Sequence, residues 1–521
     1  MIFKIFAKVN HNVGLAEPQK LRAIKRKVVL YFFFANNTRL FNSFMEEVIE
    51  KTGTFVDESK IPLNRVVGVV TAILMVAGNI IGTGVFKKVV PMAQTGLSEF
   101  FILLAWLVAG LIVLLGAFTF AGLSKATTES GGTYEYFRLA FGDLLAFLEG
   151  WGLFVIIGSG SVAAIAFIFA QSVNTMITIP NLFPQWENLT IFHSVQPFAS
   201  SGIKLFAVIT IFLLTYFNYR GIRNSALLSN VITSAKILGI LFLILIGLIA
   251  AVPASSSSLA TISNPVQSVT PSLTIFLGAM LSAFWAYDGF TNVTAIAGEI
   301  KNPTRNIPIA VITAVSLVII LYVAVNFAFM RVMPVQELAA LGENKIAAAE
   351  VTQRITGSKG AYFISLLIML SSFGALNIII LFYSRVYYRM AQEKVFFRGA
   401  AKVHPRFRTP YNALWYSMIW SCLLTLSGTY DILTNMVIFT GFAFYMLAAV
   451  ALFILKRKKI INESVPGFPW APTLFIVFTA IFLIGILLSY SRQSLTGTGL
   501  LLTGIPVYYY FKIKNRKGKL R

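Results

Sequence analysis

Charged residues are scarce in this 521-residue chain: Asp, Glu, Lys and Arg make up only 12% of it, while 57% is hydrophobic. Soluble domains carry about 25% charged residues, so the composition excludes an ordinary soluble protein and indicates a polytopic membrane protein. With one cysteine, Cys422, no internal disulfide is possible. The three histidines, His11, His193 and His404, lie outside the apolar runs. We therefore expect no cofactor, no metal and no histidine-based catalysis within the membrane.

Acidic residues are also few: 20 Asp and Glu face 43 Lys and Arg, which gives a net charge of +23. Such a balance is also typical of nucleic-acid binding, but here the basic residues lie in short segments between apolar runs, for example at 456–459 and 512–521. The positive-inside rule explains this pattern. We expect a lipid bilayer and no nucleic acid as partner, with both termini cytoplasmic.

The apolar runs predict an all-α integral membrane protein with twelve spans. They lie at about 66–92, 98–123, 143–173, 201–219, 227–252, 271–297, 308–331, 357–385, 411–428, 432–455, 470–490 and 496–511. We divide the chain into a loosely ordered cytoplasmic arm at 1–65, for which Met45 is an alternative start, a core at 66–455, and two peripheral helices with a basic tail at 456–521. The outer loop at 332–356 is predicted to contain a short amphipathic helix. Asn188-Leu189-Thr190 is a glycosylation sequon of little weight.

Two spans contain residues that favour a helix break at mid-membrane. The first is Gly78–Phe86, with Gly82 and Gly84, and the second is Phe284–Asn292, where Asp288 and Gly289 occur together. Unwound backbone at that depth is tolerated only around a cavity or inside protein, so the breaks predict a binding site. Packing of small residues between helices is the alternative for the first. The breaks fall in spans one and six, which is the spacing of a five-plus-five inverted repeat.

Three charges are predicted well inside spans, where charges are costly and often functional. For Glu149 we favour a structural role near the inner interface. Asp288 either caps a half-helix or recognises a substrate ammonium. Lys236 either extends its ammonium to the interface or has a role in the site.

At this point the chain resembles the amino acid–polyamine–organocation (APC) superfamily, in particular bacterial relatives of the L-type amino acid transporters. Five segments between about Val66 and Leu455 carry the resemblance: Gly78–Phe86; Ser130–Tyr134 with Phe141-Gly142; Ala286–Gly289; Gly298–Pro308; and Gly374–Asn377 with His404–Arg406 and Thr409–Asn412. The resemblance implies the LeuT-like inverted-repeat fold with broken helices 1 and 6. It also implies that the substrate lies among Ile80, Ile81, Gly82, Thr83, Gly84, Trp285, Ala286, Asp288 and Gly289.

Within that set, the resemblance assigns the substrate carboxylate to N–H groups around Gly82 to Gly84. It assigns the amino group to carbonyls near Ile80 and Ile81 and in Trp285 to Asp288. This agrees with the polarity of half-helix ends. Trp285 corresponds to a gating aromatic in relatives, and ordinary core packing is the alternative.

The resemblance also bears on coupling. In sodium-driven members of this fold an ion lies between the first and eighth helices. The matching positions are the carbonyls of Gly78 and Ile81 and the hydroxyls of Ser371 and Ser372. In several relatives a fifth-helix lysine reaches this place, and Lys236 matches it. We therefore predict sodium-independent transport, by proton coupling or by exchange.

The leading hypothesis is a secondary transporter of neutral amino acids in the inner (plasma) membrane, and not an enzyme. Transport of cationic amino acids or polyamines, a non-transporting amino acid sensor, and a membrane-embedded enzyme are the alternatives. Animal relatives attach a heavy subunit through a cysteine after the third span. Residues 174–200 contain no cysteine, so a disulfide-linked heavy subunit is not expected.

Overall fold

The computed structural model describes residues 63–189, 196–250, 272–341, 346–427, 430–489 and 491–517, all within the compact unit Ile61–Arg521. Their α-helices are α1 (Val69–Ile80), α2 (Gly84–Lys87), α3 (Val89–Ala93), α4 (Glu99–Leu123), α5 (Thr133–Phe141), α6 (Asp143–Gly152), α7 (Gly158–Asn174), α8 (Ser201–Tyr219), α9 (Ile222–Ile249), α10 (Leu273–Tyr287), α11 (Pro303–Val332), α12 (Val335–Ala339), α13 (Ala347–Thr356), α14 (Ser358–Gln392), α15 (Tyr411–Ser427), α16 (Tyr430–Arg457), α17 (Trp470–Ser489), α18 (Ser491–Leu502) and α19 (Gly504–Lys517). Short 3-10 helices are found at Pro184–Trp186, Asn292–Glu299 and Arg398–Ala401. Most of the predicted arm, and Thr190 of the sequon, lie outside the described residues.

Ten helical segments of the described residues are long and apolar enough to cross a membrane, which confirms a multi-pass, all-helical chain. They are Val69–Lys87, Glu99–Leu123, Asp143–Asn174, Ser201–Tyr219, Ile222–Ile249, Leu273–Glu299, Pro303–Val332, Tyr362–Gln392, Phe439–Arg457 and Trp470–Leu487. The other two predicted spans correspond to shorter helices. The helix α15 has 17 residues, and the predicted span at 496–511 is divided at Thr503 between α18 and α19.

Helix boundaries differ from the predicted ones where capping and packing extend a helix. The seventh span begins at Pro303 and not at residue 308, because Pro303 occupies a first-turn position after Asn302 in a left-handed conformation. The eighth continues to Gln392, seven residues beyond the predicted end. The amphipathic helix predicted at 332–356 is present as two short helices, α12 and α13.

A π-helical turn at Leu153–Ile157, inside the third span, was not predicted. Its extra residue frees carbonyls from the regular helical pattern. Tyr387 donates its hydroxyl to the Leu153 carbonyl at 3.0 Å, and Trp420 donates its indole N–H to the Val155 carbonyl at 3.1 Å. The turn is therefore stabilised by side chains from α14 and α15.

The first predicted break is present between α1 and α2. The helix α1 ends at Ile80, and the Gly82 N–H turns back to the Ile80 carbonyl at 2.7 Å. A Cβ at Gly84 would lie 2.8 Å from Ala286 Cα, so the absence of a side chain allows the two broken segments to approach.

The second predicted break follows α10, which ends at Tyr287 and gives way to the 3-10 helix at Asn292–Glu299. Gly289 has φ +98°, a conformation that favours glycine. Asn79 of α1 donates its amide to the Gly289 carbonyl at 2.7 Å. Each break therefore includes a glycine that the other segment contacts closely.

A buried ion pair holds the second broken segment against α14. Arg385 donates to both carboxylate oxygens of Glu299, at 2.8 and 3.0 Å, and both side chains are fully buried. The expectation of only three charges inside spans therefore needs correction: Lys204, Glu299 and Arg385 are also buried within the candidate spans. Arg385 was missed because the predicted span ended at that residue.

Candidate functional site

A cavity of about 80 Å³ lies between the two breaks. It takes in most of the residues predicted to contact substrate. Those that line it are Ile80, Gly82, Thr83, Gly84, Trp285, Ala286, Asp288 and Gly289, together with Ser372 from the predicted coupling set. Ile81, Gly78, Lys236 and Ser371 are not among its lining residues. One water molecule needs roughly 10–15 Å³ of cavity volume, so this cavity has room for several waters or a small polar group.

The backbone groups predicted to hold the substrate already have several partners within the protein. The Ile80 carbonyl accepts from the Tyr322 hydroxyl at 3.0 Å, and the same hydroxyl lies 3.2 Å from the Ala286 carbonyl. The Gly82 N–H is bonded within the break. Thr83 and Gly84, at the start of α2, are in the position where helical N–H groups lack intrahelical partners. Fewer backbone groups are therefore free to bind a substrate than the sequence indicated.

Lys236 lies beside the first break and is not among the residues that line the cavity. Its side chain is fully buried, and its ammonium donates to the carbonyls of Gly78 at 2.9 Å and Ile81 at 2.8 Å. These are the two carbonyls named from the sequence. Gly374 of α14 makes room for the lysine stem, since a Cβ there would approach Lys236 Cε to 3.3 Å.

The two serines of α14 behave differently. Ser371 donates its hydroxyl to the carbonyls of Ile81 and Gly82, at 2.9 and 3.1 Å, so it joins Lys236 at the break. Ser372 donates within its own helix, to Ile368 and Met369. The structure thus brings Lys236 and Ser371 to the same carbonyl, while Ser372 faces the cavity.

Asp288 lines the cavity and accepts a hydrogen bond from the Tyr445 hydroxyl at 2.8 Å. The following 3-10 helix begins after Thr291 without a side-chain cap, so the capping interpretation of Asp288 is not supported at that helix. Trp285 also lines the cavity, and the Lys88 ammonium lies 5.8 Å from the centre of its ring.

Four polar residues around the cavity were not singled out from the sequence. Asn79 and Asn292 belong to the two broken stretches, where their polarity inside an apolar span was an available signal. Tyr322 and Tyr383 come from long apolar helices, and nothing local distinguishes them from core aromatics. Asn292 donates its amide to the Tyr383 hydroxyl at 3.4 Å.

Glu149 does not line this cavity but an adjacent, smaller one. It is 3% exposed, so it does not reach the aqueous interface as the structural interpretation assumed. The two cavities share Asn292 and Tyr383 as lining residues.

Comparison with known proteins identifies the family of the chain. Residues 67–511 match the model of a family described as amino acid permease. The serine/threonine exchanger SteT of Bacillus subtilis (strain 168) is 30% identical over 458 residues, covering 86% of this chain and 97% of SteT. The human large neutral amino acids transporter small subunit 2 is 27% identical over 456 residues, covering 86% and 81%. The mouse b(0,+)-type amino acid transporter 1 is 25% identical over 451 residues, covering 86% and 88%. The chain belongs to the amino acid permease family of the APC superfamily, whose members are membrane transporters and not enzymes.

Proposed function

We propose that this chain is a sodium-independent secondary transporter that moves neutral amino acids across the plasma membrane by alternating access. Its architecture would be twelve spans with cytoplasmic termini and a five-plus-five inverted repeat at 66–455. The arm at 1–65 and the last helices with the tail, 456–521, would lie outside the repeat. The two breaks, in spans one and six, support this arrangement.

The polar groups around the cavity between the breaks suit the two charged ends of a zwitterion. Its carboxylate would accept from the N–H groups of Thr83 and Gly84 at the start of α2, where the helix dipole favours an anion. Its ammonium would donate to remaining carbonyl lone pairs near Ile80 and Ala286, which already accept from Tyr322. Trp285 would cover the bound side chain.

The observation that carries the sodium-independent mechanism is the position of the Lys236 ammonium. It donates to the Gly78 and Ile81 carbonyls, and Ser371 donates to the second of these. An ammonium supplies three hydrogen-bond donors and one positive charge. A sodium ion at these oxygens would supply the same single charge. Coupling would then proceed through Lys236, by proton movement or by exchange of amino acids.

The choice between the two candidate substrate classes, neutral and cationic, depends on the carboxylate of Asp288. Its carboxylate accepts from Tyr445, and this partner favours neutral amino acids because the carboxylate is already engaged. Cationic amino acids or polyamines remain the second candidate, because the same carboxylate lines the cavity.

We also propose that the transporter works without a disulfide-linked subunit. Residues 174–200 contain no cysteine. Cys422, the single cysteine of the chain, lies in α15 and is half-buried.

Uptake into proteoliposomes tests the proposal. The purified chain would be supplied with labelled proteinogenic amino acids, one at a time, with choline in place of sodium and with or without a pH gradient. We expect uptake of neutral amino acids at the same rate in choline and in sodium. A strict sodium requirement, or uptake confined to cationic substrates, would contradict the proposal, and binding without uptake would indicate a sensor.

A further inference from the structure

The second cavity, of about 40 Å³, shares two lining residues with the first. These are Asn292 and Tyr383, and the Asn292 amide donates to the Tyr383 hydroxyl at 3.4 Å. We call this pair of side chains, which both cavities contact, the Asn292–Tyr383 wall.

Glu149 of α6 lines this second cavity with a carboxylate oxygen that has no partner. It is 3% exposed, and Oε2 makes no hydrogen bond within the described part of the chain. An isolated carboxylate removed from water is costly, and the cost is relieved by protonation or by a cation or hydrogen-bond donor beside it. No hydrogen-bond donor of the described residues reaches Glu149 Oε2.

The surroundings of Glu149 contain hydroxyls but no ordinary cation. None of the described residues that line the cavity is Lys, Arg or His. The titratable groups that face it are Tyr383 and Tyr387 of α14 and Tyr445 of α16.

On three of the helices packed against α6, the cations contact other groups. On α14, Arg385 pairs with Glu299 and Arg389 with Glu135. On α5, Arg138 and Glu135 pair with each other at 3.0 Å. On α19, Lys512 lies over the ring of Tyr508, which packs against Phe147 of α6.

We propose that the Glu149 cavity binds a primary ammonium group, and that the α-ammonium of the transported amino acid reaches it when the Asn292–Tyr383 wall opens. This rests on the proposed function. The size of the cavity supports an ammonium, because 40 Å³ holds about three or four waters by the same measure and is too small for a whole amino acid.

The polar atoms of the cavity suit a group with three donors. Glu149 Oε2 is a free acceptor. Thr294 also lines the cavity, and its hydroxyl proton is used on the Thr291 carbonyl at 2.8 Å, so its oxygen can accept a further bond. The Glu149 cavity would then be a second, transient station on the substrate path.

Methylammonium chloride is a probe small enough for this cavity, and thermal unfolding of the purified protein reports its binding. We expect methylammonium to raise the Tm of the parent above that in equimolar choline chloride. The rise should be abolished in Glu149→Gln and reduced in Glu149→Asp. It should persist in Asp288→Asn, which removes the carboxylate of the first cavity at a residue that does not line the second.

The contradicting outcomes are specific. An equal Tm rise in Glu149→Gln, no rise in the parent, or an equal rise with potassium chloride would each overturn the ammonium site. An Asp288→Asn protein that no longer responds would show that methylammonium binds at the carboxylate of the first cavity, and would also overturn it. Failure of the parent to take up amino acids, with the Tm pattern intact, would contradict the proposed function alone.

Discussion

Two fully buried cations lie near the broken helices, and one has a charged partner while the other has only neutral partners. Arg385 faces a full negative charge, the carboxylate of Glu299, in a two-bond ion pair. Lys236 faces only the neutral carbonyls of Gly78 and Ile81. Removal of one member of an ion pair leaves a buried charge, whereas removal of Lys236 leaves neutral groups. The comparison indicates that Arg385 stabilises the fold and that Lys236 is suited to a step in which its partners change.

The largest effect is expected from breaking the ion pair. Arg385→Met leaves the Glu299 carboxylate buried without its cation, which costs about 3–5 kcal/mol. We expect a large fall in Tm or loss of folded protein, measured by thermal unfolding and size-exclusion chromatography. The double variant Arg385→Met with Glu299→Leu is the control and should recover most of the stability. An Arg385→Met protein as stable as the parent would show that the ion pair with Glu299 does not stabilise the fold.

The close approach of the two broken segments at Gly84 gives the next effect. Gly84→Ala puts a Cβ 2.8 Å from Ala286 Cα, where backbone must move, so we expect a loss of about 1–3 kcal/mol and of amino acid binding. Gly82→Ala is the matched control, because its Cβ would meet only the Ile80 oxygen at 3.9 Å. Thermal unfolding with and without substrate measures both. Equal behaviour of the two variants would show that close approach of the breaks is not needed.

The smallest effect on stability is expected at Asp288, a half-buried carboxylate that lines the cavity between the breaks. Asp288→Asn keeps an acceptor for the Tyr445 hydroxyl and removes the negative charge. We expect the free energy of unfolding, measured by thermal unfolding, to change by less than about 1 kcal/mol, because the hydrogen bond survives. The preference for neutral over cationic amino acids should shift, as seen in competition uptake. Superimposable competition profiles of Asp288→Asn and parent would show that the carboxylate does not select substrate.

The parts of the site carried by local composition could be predicted from sequence. Glycines inside apolar spans marked both breaks, and a charge at mid-span marked Lys236 and Asp288. The partners of these groups could not be predicted so well. Tyr322 is 242 residues from the Ile80 carbonyl that it contacts, and Tyr445 is 157 residues from Asp288. Such pairs depend on helix packing, which hydrophobic runs do not specify.

Length and boundaries were the weaker part of the fold prediction. Arg385 looked like a residue at the cytoplasmic end of a span, because polar residues become frequent after it. In the structure α14 continues to Gln392, and Arg385 packs against the second broken segment. The π-helical turn at Leu153–Ile157 was likewise hidden, since its apolar sequence is also compatible with a regular α-helix.

Lys236 has a natural control within the same protein. Lys204 is also a buried lysine, 2% exposed, and its ammonium contacts the carbonyls of Gln196 and Pro197, remote in sequence from both breaks. Methionine keeps most of the length of either side chain, short of the terminal nitrogen, and removes its charge. The pair separates a general cost of losing a buried ammonium from a specific role at the first break.

The most direct test is sodium-free amino acid uptake by Lys236→Met and Lys204→Met in proteoliposomes, with substrate binding to each protein measured by its Tm shift. We predict that both variants fold, that Lys204→Met transports like the parent, and that Lys236→Met binds substrate but loses net transport. Full uptake by Lys236→Met, or equal loss in both variants, would contradict the assignment of Lys236 to coupling.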